Sequence, residues 1–442
     1  MKIRSLILAA FALLLLLGTL YWSEHRKPAE ENTKASPDTP PAILKLDQAG
    51  ITKVEFRGKN APPIVLTKNS SGAWQITEPK QLKADQGTVA NTLSTLSSLS
   101  SERVVDDKAS DLRQYGLDQP ALEVDITEKD NKSQRLMVGD DTPAGSAVYA
   151  MLAGDPRVFT LASYHKTSLE KGVNDLRDKR LLTISADKVT RLELIRTHQT
   201  LEFRRNQDEW EIFKPRPLRA DSGEVRELVG KLSDARMDLT GLEKDLQKAE
   251  AAFLRATPVA IAKLTDLSGT QELQIRESND AYYARSNVVD GTYKIEPSLG
   301  PALGKAQDEF RNKRLFDFGF EDPTKIEMHN GAKSYFLSRS GTDWWSNGKK
   351  MDPESVQGLV AKLRELAASK FAESGFSNPS IELTVTSDDG KRIERVFIAK
   401  SGDSYVAKRE NEAATLYQLE ANSVEPLEQA AEQIQPSTAP SK

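Results

Sequence analysis

The feature that most constrains this chain is a five-residue pattern that occurs three times. Thr52-Lys53-Val54-Glu55-Phe56, Thr190-Arg191-Leu192-Glu193-Leu194 and Thr324-Lys325-Ile326-Glu327-Met328 share the form Thr, basic, aliphatic, Glu, apolar. Their spacing sets a period of roughly 136 residues, and self-similarity at a fixed period decides an architecture before any single element does. Within each copy charged and apolar residues alternate, as in a strand with one buried face. A chain of 442 residues holds three such modules at ~150 residues per domain.

A second set of positions keeps the same register. Asp85, Asp221 and Asp352 each precede apolar residues at helical spacing: Val89, Leu93, Leu96 and Leu99; Val225, Val229, Leu232 and Ala235; Val356, Val360, Leu363 and Leu366. A short carboxylate at that point accepts from the free N–H groups of the first turn. Glu224 would complete a capping box, and Pro353 stands at a first helical position. Trp74 and Trp210 precede their caps by equal intervals, and Trp344-Trp345 lies slightly nearer to its own. An indole at a fixed strand position reads as a plug beneath the helix. Neighbours on a strand face opposite sides, so one of Trp344 and Trp345 is exposed.

Around each helix the alternation predicts two antiparallel meanders, the second continuing through Leu122 to Ile126, Leu136 to Val138, Tyr149-Ala150 and Val158 to Leu161 in the first module. The expected fold is α+β, with three tandem repeats of antiparallel β-meanders, each packed with a capped amphipathic helix, following an N-terminal transmembrane helix. The repeats span 42–186, 187–322 and 323–434, with a polar tail at 435–442. In repeat two the turn before the second meander is reduced to Pro258 and a degenerate strand. The junctions carry Lys179-Arg180-Leu181-Leu182 and Lys313-Arg314-Leu315-Phe316, which would dock one repeat on the next; repeat three has no copy.

Residues 1–23 read as a membrane anchor or signal. Lys2 and Arg4 precede an apolar run from Leu6 to Trp22, and that length with bulky, charged residues after it favours an uncleaved anchor over a cleaved signal. The retained positive end places the bulk of the chain outside the cytoplasmic membrane, on the periplasmic side of a single-pass inner-membrane protein. Residues 24–41 are a Pro-rich, polar linker that holds the repeats off the bilayer.

Little in the sequence points to chemistry. The net charge of −4, from 61 basic and 65 acidic residues, gives no field for nucleic acid. The absence of cysteine excludes disulfides, thiolate nucleophiles and Cys-based metal sites. His25, His165, His198 and His329 lack metal-ligand spacing. Gly139-Asp140-Asp141-Thr142-Pro143-Ala144-Gly145 lacks the Lys-Ser/Thr of a phosphate loop, and Ser387-Asp388-Asp389-Gly390 reads as a hairpin turn. The basic pairs Lys179-Arg180 and Lys313-Arg314 read as helix C-terminal cations. No catalytic group, cofactor or metal is expected. Trp344, Trp345, Tyr282 and Tyr283 are the candidates for stacking on a ligand.

The Trp74 to Pro79 strand end, the Asp85-capped helix, Tyr115-Gly116-Leu117-Asp118-Gln119-Pro120, Val138-Gly139 and the Tyr149-Ala150 strand resemble the bacterial domain of unknown function 4340. The resemblance is carried by packing and turn residues. It implies a membrane-anchored protein associated with ABC-type exporters, including gliding-motility-type transporters, and no site residue. The expected function is therefore a non-enzymatic accessory or substrate-engaging module of an ABC-type transporter or envelope assembly. The alternative is an envelope polysaccharide- or peptidoglycan-binding protein.

Overall fold

The computed structural model describes residues 43–240 and 243–437. The anchor at 1–23, the linker at 24–41 and the last five residues of the tail lie outside the described residues. Among the described residues no helix is long and apolar enough to cross a membrane. The chain divides after Asp178 into two compact units, the first holding repeat one and the second holding repeats two and three.

In repeat one a meander of β1 (Ile51–Gly58), β2 (Ile64–Lys68), β3 (Trp74–Glu78) and β4 (Leu82–Lys83) leads into α1 (Gln86–Ser97) and β5 (Arg103–Asp106). A second meander follows, of β6 (Leu122–Glu128), β7 (Ser133–Asp141), β8 (Ala147–Leu152) and β9 (Val158–Ala162), and then the short helices α2 (Ser163–Leu169) and α3 (Val173–Leu176). The sheet runs β4-β3-β2-β1-β6-β7-β8-β9-β5, so β1, the strand of the repeated pentapeptide, joins the two meanders. Val54 pairs with Leu66 on one side and Ile126 on the other.

Repeat two rebuilds this with β10 (Arg191–Ile195), β11 (Thr200–Asn206), β12 (Glu209–Lys214), β13 (Leu218–Arg219), α4 (Ser222–Ser233), α5 (Glu243–Arg255), β14 (Thr257–Asp266), β15 (Gly269–Ser278), β16 (Ala281–Ser286), β17 (Thr292–Ile295) and α6 (Leu299–Gly304). Repeat three does so with β18 (Lys325–Asn330), β19 (Lys333–Ser340), β20 (Asp343–Ser346), β21 (Lys349–Lys350), α7 (Pro353–Glu365), β22 (Lys370–Ala372), β23 (Ile381–Ser387), β24 (Arg392–Ser401), β25 (Ser404–Arg409), β26 (Leu416–Leu419) and α8 (Ala421–Glu432). The strand orders match that of repeat one, except that the second sheet has eight strands and lacks the edge strand that β5 and β22 supply in the nine-stranded sheets.

At that point repeat two keeps only a single bridge, Asp238 to Lys294 on β17; α5 follows it, and β14 behind that helix is a ten-residue strand with one register shift between Pro258 and Ala260, rather than the degenerate strand expected. Helix α5 is tied to the outward face of the sheet. Glu250 meets Arg285 and Thr292, and the Phe253 ring is flanked by the guanidinium groups of Arg276 and Arg285 at 4.7 and 4.4 Å.

Each repeat has its own core, and the helical positions read from the sequence line it: Val89, Leu96 and Leu99, Val225 and Leu232, and Val356, Val360 and Leu363 are all fully buried. The caps form as expected. Asp85 accepts from Thr88 N at 2.9 Å, Asp221 from Gly223 N and Glu224 N at 2.9 and 3.2 Å, and Asp352 from Ser355 N at 2.9 Å. The Glu224 capping box does not form. The Asp221 N–H it would need already donates to Phe310 O, and Glu224 pairs with Lys305 instead.

That Asp221 bond belongs to a closing strip common to the repeats. Asp85 N donates to Leu176 O, Asp221 N to Phe310 O, and Asp352 N to Gln435 O. One residue on, single bridges join Ala84 to Arg177, Ala220 to Arg311 and Met351 to Pro436. Repeat three thus has a copy of the strip in Gln435 to Ser437, although no Lys-Arg-Leu marks it. The basic pairs lie in extended backbone, not at helix ends: Met237 N donates to Lys179 O, and Ala368 N to Lys313 O. Leu181 and Leu182 belong to the second core, so repeat two begins earlier in packing terms than residue 187.

Candidate functional site

The pentapeptide strands present their charges on the outward face of each sheet, where basic residue and Glu pair two positions apart: Lys53 with Glu55 at 3.2 Å, Arg191 with Glu193 at 3.7 Å, and Lys325 with Glu327. In repeat two this ladder deepens. Glu202, opposite Glu193 on β11, is fully buried and lies within 2.9 Å of Arg191, Arg204 and Lys214. Burial alone would raise its pKa, but hydrogen bonds from Lys214, Arg204 and Arg191 hold it down to about 2.

The four aromatic candidates do not converge. Tyr282 and Tyr283 lie on β16 of the second sheet, and Trp344 and Trp345 on β20 of the third. Trp344 is 2 % exposed within the third core and offers no face to a ligand. Tyr282 packs against the second core, its ring so close to α6 that a Cβ on Gly300 would meet Cζ at 2.1 Å. The outward alternates remain. Tyr283 is half-buried and in register with Arg276 and Lys294. Trp345 is 37 % exposed. Phe336 shares the face of Trp345 through Ser338, is itself exposed, and meets His329 edge-on at 5.4 Å. The alternation that exposes Trp345 marks Phe336 too, since it stands opposite the outward Glu327.

Two cavities open at strand ends. One of about 330 Å³ in repeat one is lined by Phe56, Ala61, Pro62, Leu122 and Lys171 among others. The other, about 260 Å³ in repeat two, is lined by residues including Ile195, Val259, Ile261 and Arg276. None of the four aromatic candidates lines either. No group of three or more His, Cys, Asp or Glu side chains suited to a metal ion occurs among the described residues.

The densest electrostatics lie where the chain passes from repeat two into repeat three. Asp317 receives Arg219 Nη2 at 2.7 Å and Asn312 Nδ2 at 3.0 Å on one oxygen, and Arg409 Nη1 at 3.1 Å on the other. Its backbone N–H donates to both oxygens of Glu394 at 3.0 Å, and its carbonyl accepts from Arg392. Glu394, 4 % exposed, also accepts from Arg409 Nη2 at 2.7 Å. Glu412 completes the group, 3.4 Å from Arg219 Nε and accepting from the Tyr417 hydroxyl at 2.7 Å.

Burial pushes the Glu394 carboxyl up to about 7. The Asp317 N–H pulls it down, the negative charge of Asp317 raises it further, and Arg392 and Arg219 oppose that rise. Burial likewise raises the Tyr417 hydroxyl, against the pull of Arg219. Arg219 is held above its ordinary value because Asp317, Tyr417 and Glu412 together outweigh its desolvation.

This cluster escaped sequence reasoning because its members are scattered from residue 219 to residue 417. A signal was present. Glu394 shares a strand face with Val396 and Ile398, and Arg409 with Tyr405 and Ala407, all of them buried. Opposite charges at core-facing positions of paired strands announce a buried ion pair.

The sequence profile of the domain of unknown function 4340 matches residues 74–214 and again 210–389. The chain belongs to this family. Both matches open on the buried indole, Trp74 or Trp210, so the unit defined by the domain of unknown function 4340 begins on the third strand of one repeat and reaches into the sheet of the next. No curated protein matches the chain. Among solved structures, a DNA polymerase sliding clamp from Pseudomonas aeruginosa aligns over 86 % of this chain and 93 % of its own, at 8 % identity and a TM-score of 0.18. A ligand-bound form of that clamp aligns over 85 % and 92 %, at 7 % identity and 0.17. Scores this low carry no argument about fold or function.

Proposed function

We propose that this member of the domain of unknown function 4340 family is a non-enzymatic accessory or substrate-engaging module of an ABC-type transporter or related envelope assembly, anchored through residues 6–22 with its repeats on the extracytoplasmic side. The observation that carries the reading is the placement of the ionisable groups with strongly displaced pKa values. Glu202 sits inside a sheet-face ladder, and Glu394 and Tyr417 sit in the seam between repeats, each already bonded to protein partners. Displaced groups in an open cleft suggest an active site; groups paired inside a seam fix the geometry of a scaffold. Isolation of the full chain from gently solubilised membranes tests this. A stoichiometric membrane-protein partner is expected, and recovery of the chain alone would count against the role.

A second reading is favoured by one observation, the outward pair Trp345 and Phe336. Two exposed aromatic rings on one sheet face suit the apolar face of a sugar ring. Retention on immobilised peptidoglycan or polysaccharide that is lost in Trp345→Ala would support it; retention unchanged in that variant would remove it.

A further inference from the structure

The residue two places beyond the pentapeptide continues the inward face of its strand. It is Gly58 after Phe56, Arg196 after Leu194 and Asn330 after Met328. In repeats one and three it pairs with the first residue of the second meander, Leu122 or Ile381. In repeats two and three its side chain meets the segment that closes the repeat. Arg196 has Nε and Nη2 buried and is attracted by Glu309 on the closing turn Gln307–Phe310, and Gln199 Nε2 beside it donates to Gln307 Oε1 at 3.2 Å. Asn330 Nδ2 donates to Glu428 Oε1 on α8 at 2.9 Å. Gly58 has no side chain to send. At its place lies the cavity of about 330 Å³, between Phe56, Ile64 and Leu122 of the sheet and Glu170, Lys171 and Gly172 of the closing segment. Neither backbone nor space demands the glycine: it lies in strand β1, and a Cβ there would meet Ala61 Cβ at an ordinary 3.7 Å.

A second difference falls on the same cavity. Lys171 and Lys305 stand at equal distances before the closing carbonyls of Leu176 and Phe310. Lys305 pairs with Glu224, the third residue after the Asp221 cap. The third residue after Asp85 is Thr88, so the corresponding carboxylate is missing from repeat one. Lys171 is half-buried, Glu170 beside it is exposed, and no ion pair to Lys171 occurs among the described residues. One substitution opens an apolar chamber and the other frees a cation on its wall. We propose that this cavity of repeat one binds a small monocarboxylate with a short apolar tail, the tail among Phe56, Ile64 and Leu122 and the carboxylate on the Lys171 ammonium. An apolar chamber of this size with one convergent charge has the make-up of a ligand pocket, and a lysine stem can lie along its wall while the head meets the anion. Glu170 at the rim opposes a second negative charge. Repeat two closes the equivalent space with Arg196, and its own cavity is lined by β14 and β15 with no residue of the closing segment. The inference stands independently of any transporter or glycan role.

The test is methyl NMR of Ile64 and Leu122 in the full chain, held in phosphatidylcholine nanodiscs and titrated with hexanoate, hexanol or acetate. Hexanoate should give saturable shifts at both methyls and bind about tenfold more tightly than hexanol, the scale of one charge-assisted hydrogen bond; acetate should give none. Gly58→Arg, which fills the chamber as Arg196 does, should abolish the hexanoate shifts without lowering the thermal midpoint. Lys171→Gln should still bind hexanol and lose the preference for hexanoate, which keeps the proposal testable should Gly58→Arg fail to fold. Absence of saturable shifts with hexanoate, equal affinity for hexanoate and hexanol, or an unchanged preference in Lys171→Gln would overturn it.

Discussion

Gln134, Gln271 and Glu394 occupy one station of the three sheets, at the end of the row that starts on Val54, Leu192 or Ile326, and each clasps the backbone entering its repeat, at Lys45, Thr183 and Asp317, by different chemistry. A carboxamide both donates and accepts, so a single neutral side chain holds the incoming backbone and the clasp remains local. A carboxylate accepts only, and its charge is buried. The missing donor must come from elsewhere and the charge must be paired. Here Arg392 supplies the donor, Arg409 the charge, and Arg219 reaches in from the preceding repeat to Asp317. A change of one side-chain atom type, from amide nitrogen to carboxylate oxygen, accompanies the growth of a local fastening into a network spanning two repeats.

The largest expected effect breaks the charged clasp outright. Arg409→Met leaves Glu394 and the second oxygen of Asp317 without their shared cation, and should lower the urea-unfolding free energy of the unit holding repeats two and three by ~3–5 kcal/mol. A loss under about 1 kcal/mol would show that the network contributes little. Moving the carboxylate to a neutral station should come next. Gln271→Glu puts a charge where Thr183 and Ile184 amides wait but no arginine is bonded, and should destabilise by ~1–3 kcal/mol. That loss should be greater at pH 8 than at pH 5, because burial raises the carboxyl pKa and ionisation at high pH is then the unfavourable step.

The ladder at Glu202 has the opposite sign. Its folded pKa of about 2 lies below the ordinary 4.5, so its contribution is present above the ordinary value and lost as acid brings the pH down toward about 2. Acid titration of Glu202→Gln should therefore lack a stability loss that the wild type shows below about pH 4.5, read as the midpoint of thermal unfolding. Smaller still, Asp221→Ala should cost ~1 kcal/mol or slightly more. It should exceed Asp85→Ala, because Asp221 caps two N–H groups and Asp85 one. Lys53→Ala, on an exposed strand-face pair, should change stability by less than ~1 kcal/mol.

What was legible in the sequence was whatever local chemistry dictates. A carboxylate four residues before an apolar helical stripe is placed to cap it, so Asp85, Asp221 and Asp352 announced three helices and their buried faces. Alternation placed Lys53 beside Glu55 and made Trp344 and Trp345 face opposite ways. What stayed hidden depends on pairing over distance. In repeat two the edge strand shrinks to the Asp238–Lys294 bridge and α5 follows it, and reading repeat two against the register of repeat one concealed the helix. The closing strip of Gln435 to Ser437 is held chiefly through backbone groups and leaves no side-chain mark of its own in the sequence. The Glu394 clasp joins residues far apart in the chain, and its equivalence to Gln134 and Gln271 appears only once the strands are in register.

The closing strip has a consequence for ancestry. Because Asp85, Asp221 and Asp352 donate their amides to a backbone carbonyl, the bond itself reads direction and spacing, while the side chain behind that carbonyl is buried at Leu176 and Phe310 and exposed at Gln435. A duplicated gene segment that ends at this strip finds a ready backbone socket. The number of modules in such a lineage can rise or fall by recombination, and Leu176, Phe310 and Gln435 show how different the residues at the sockets can be.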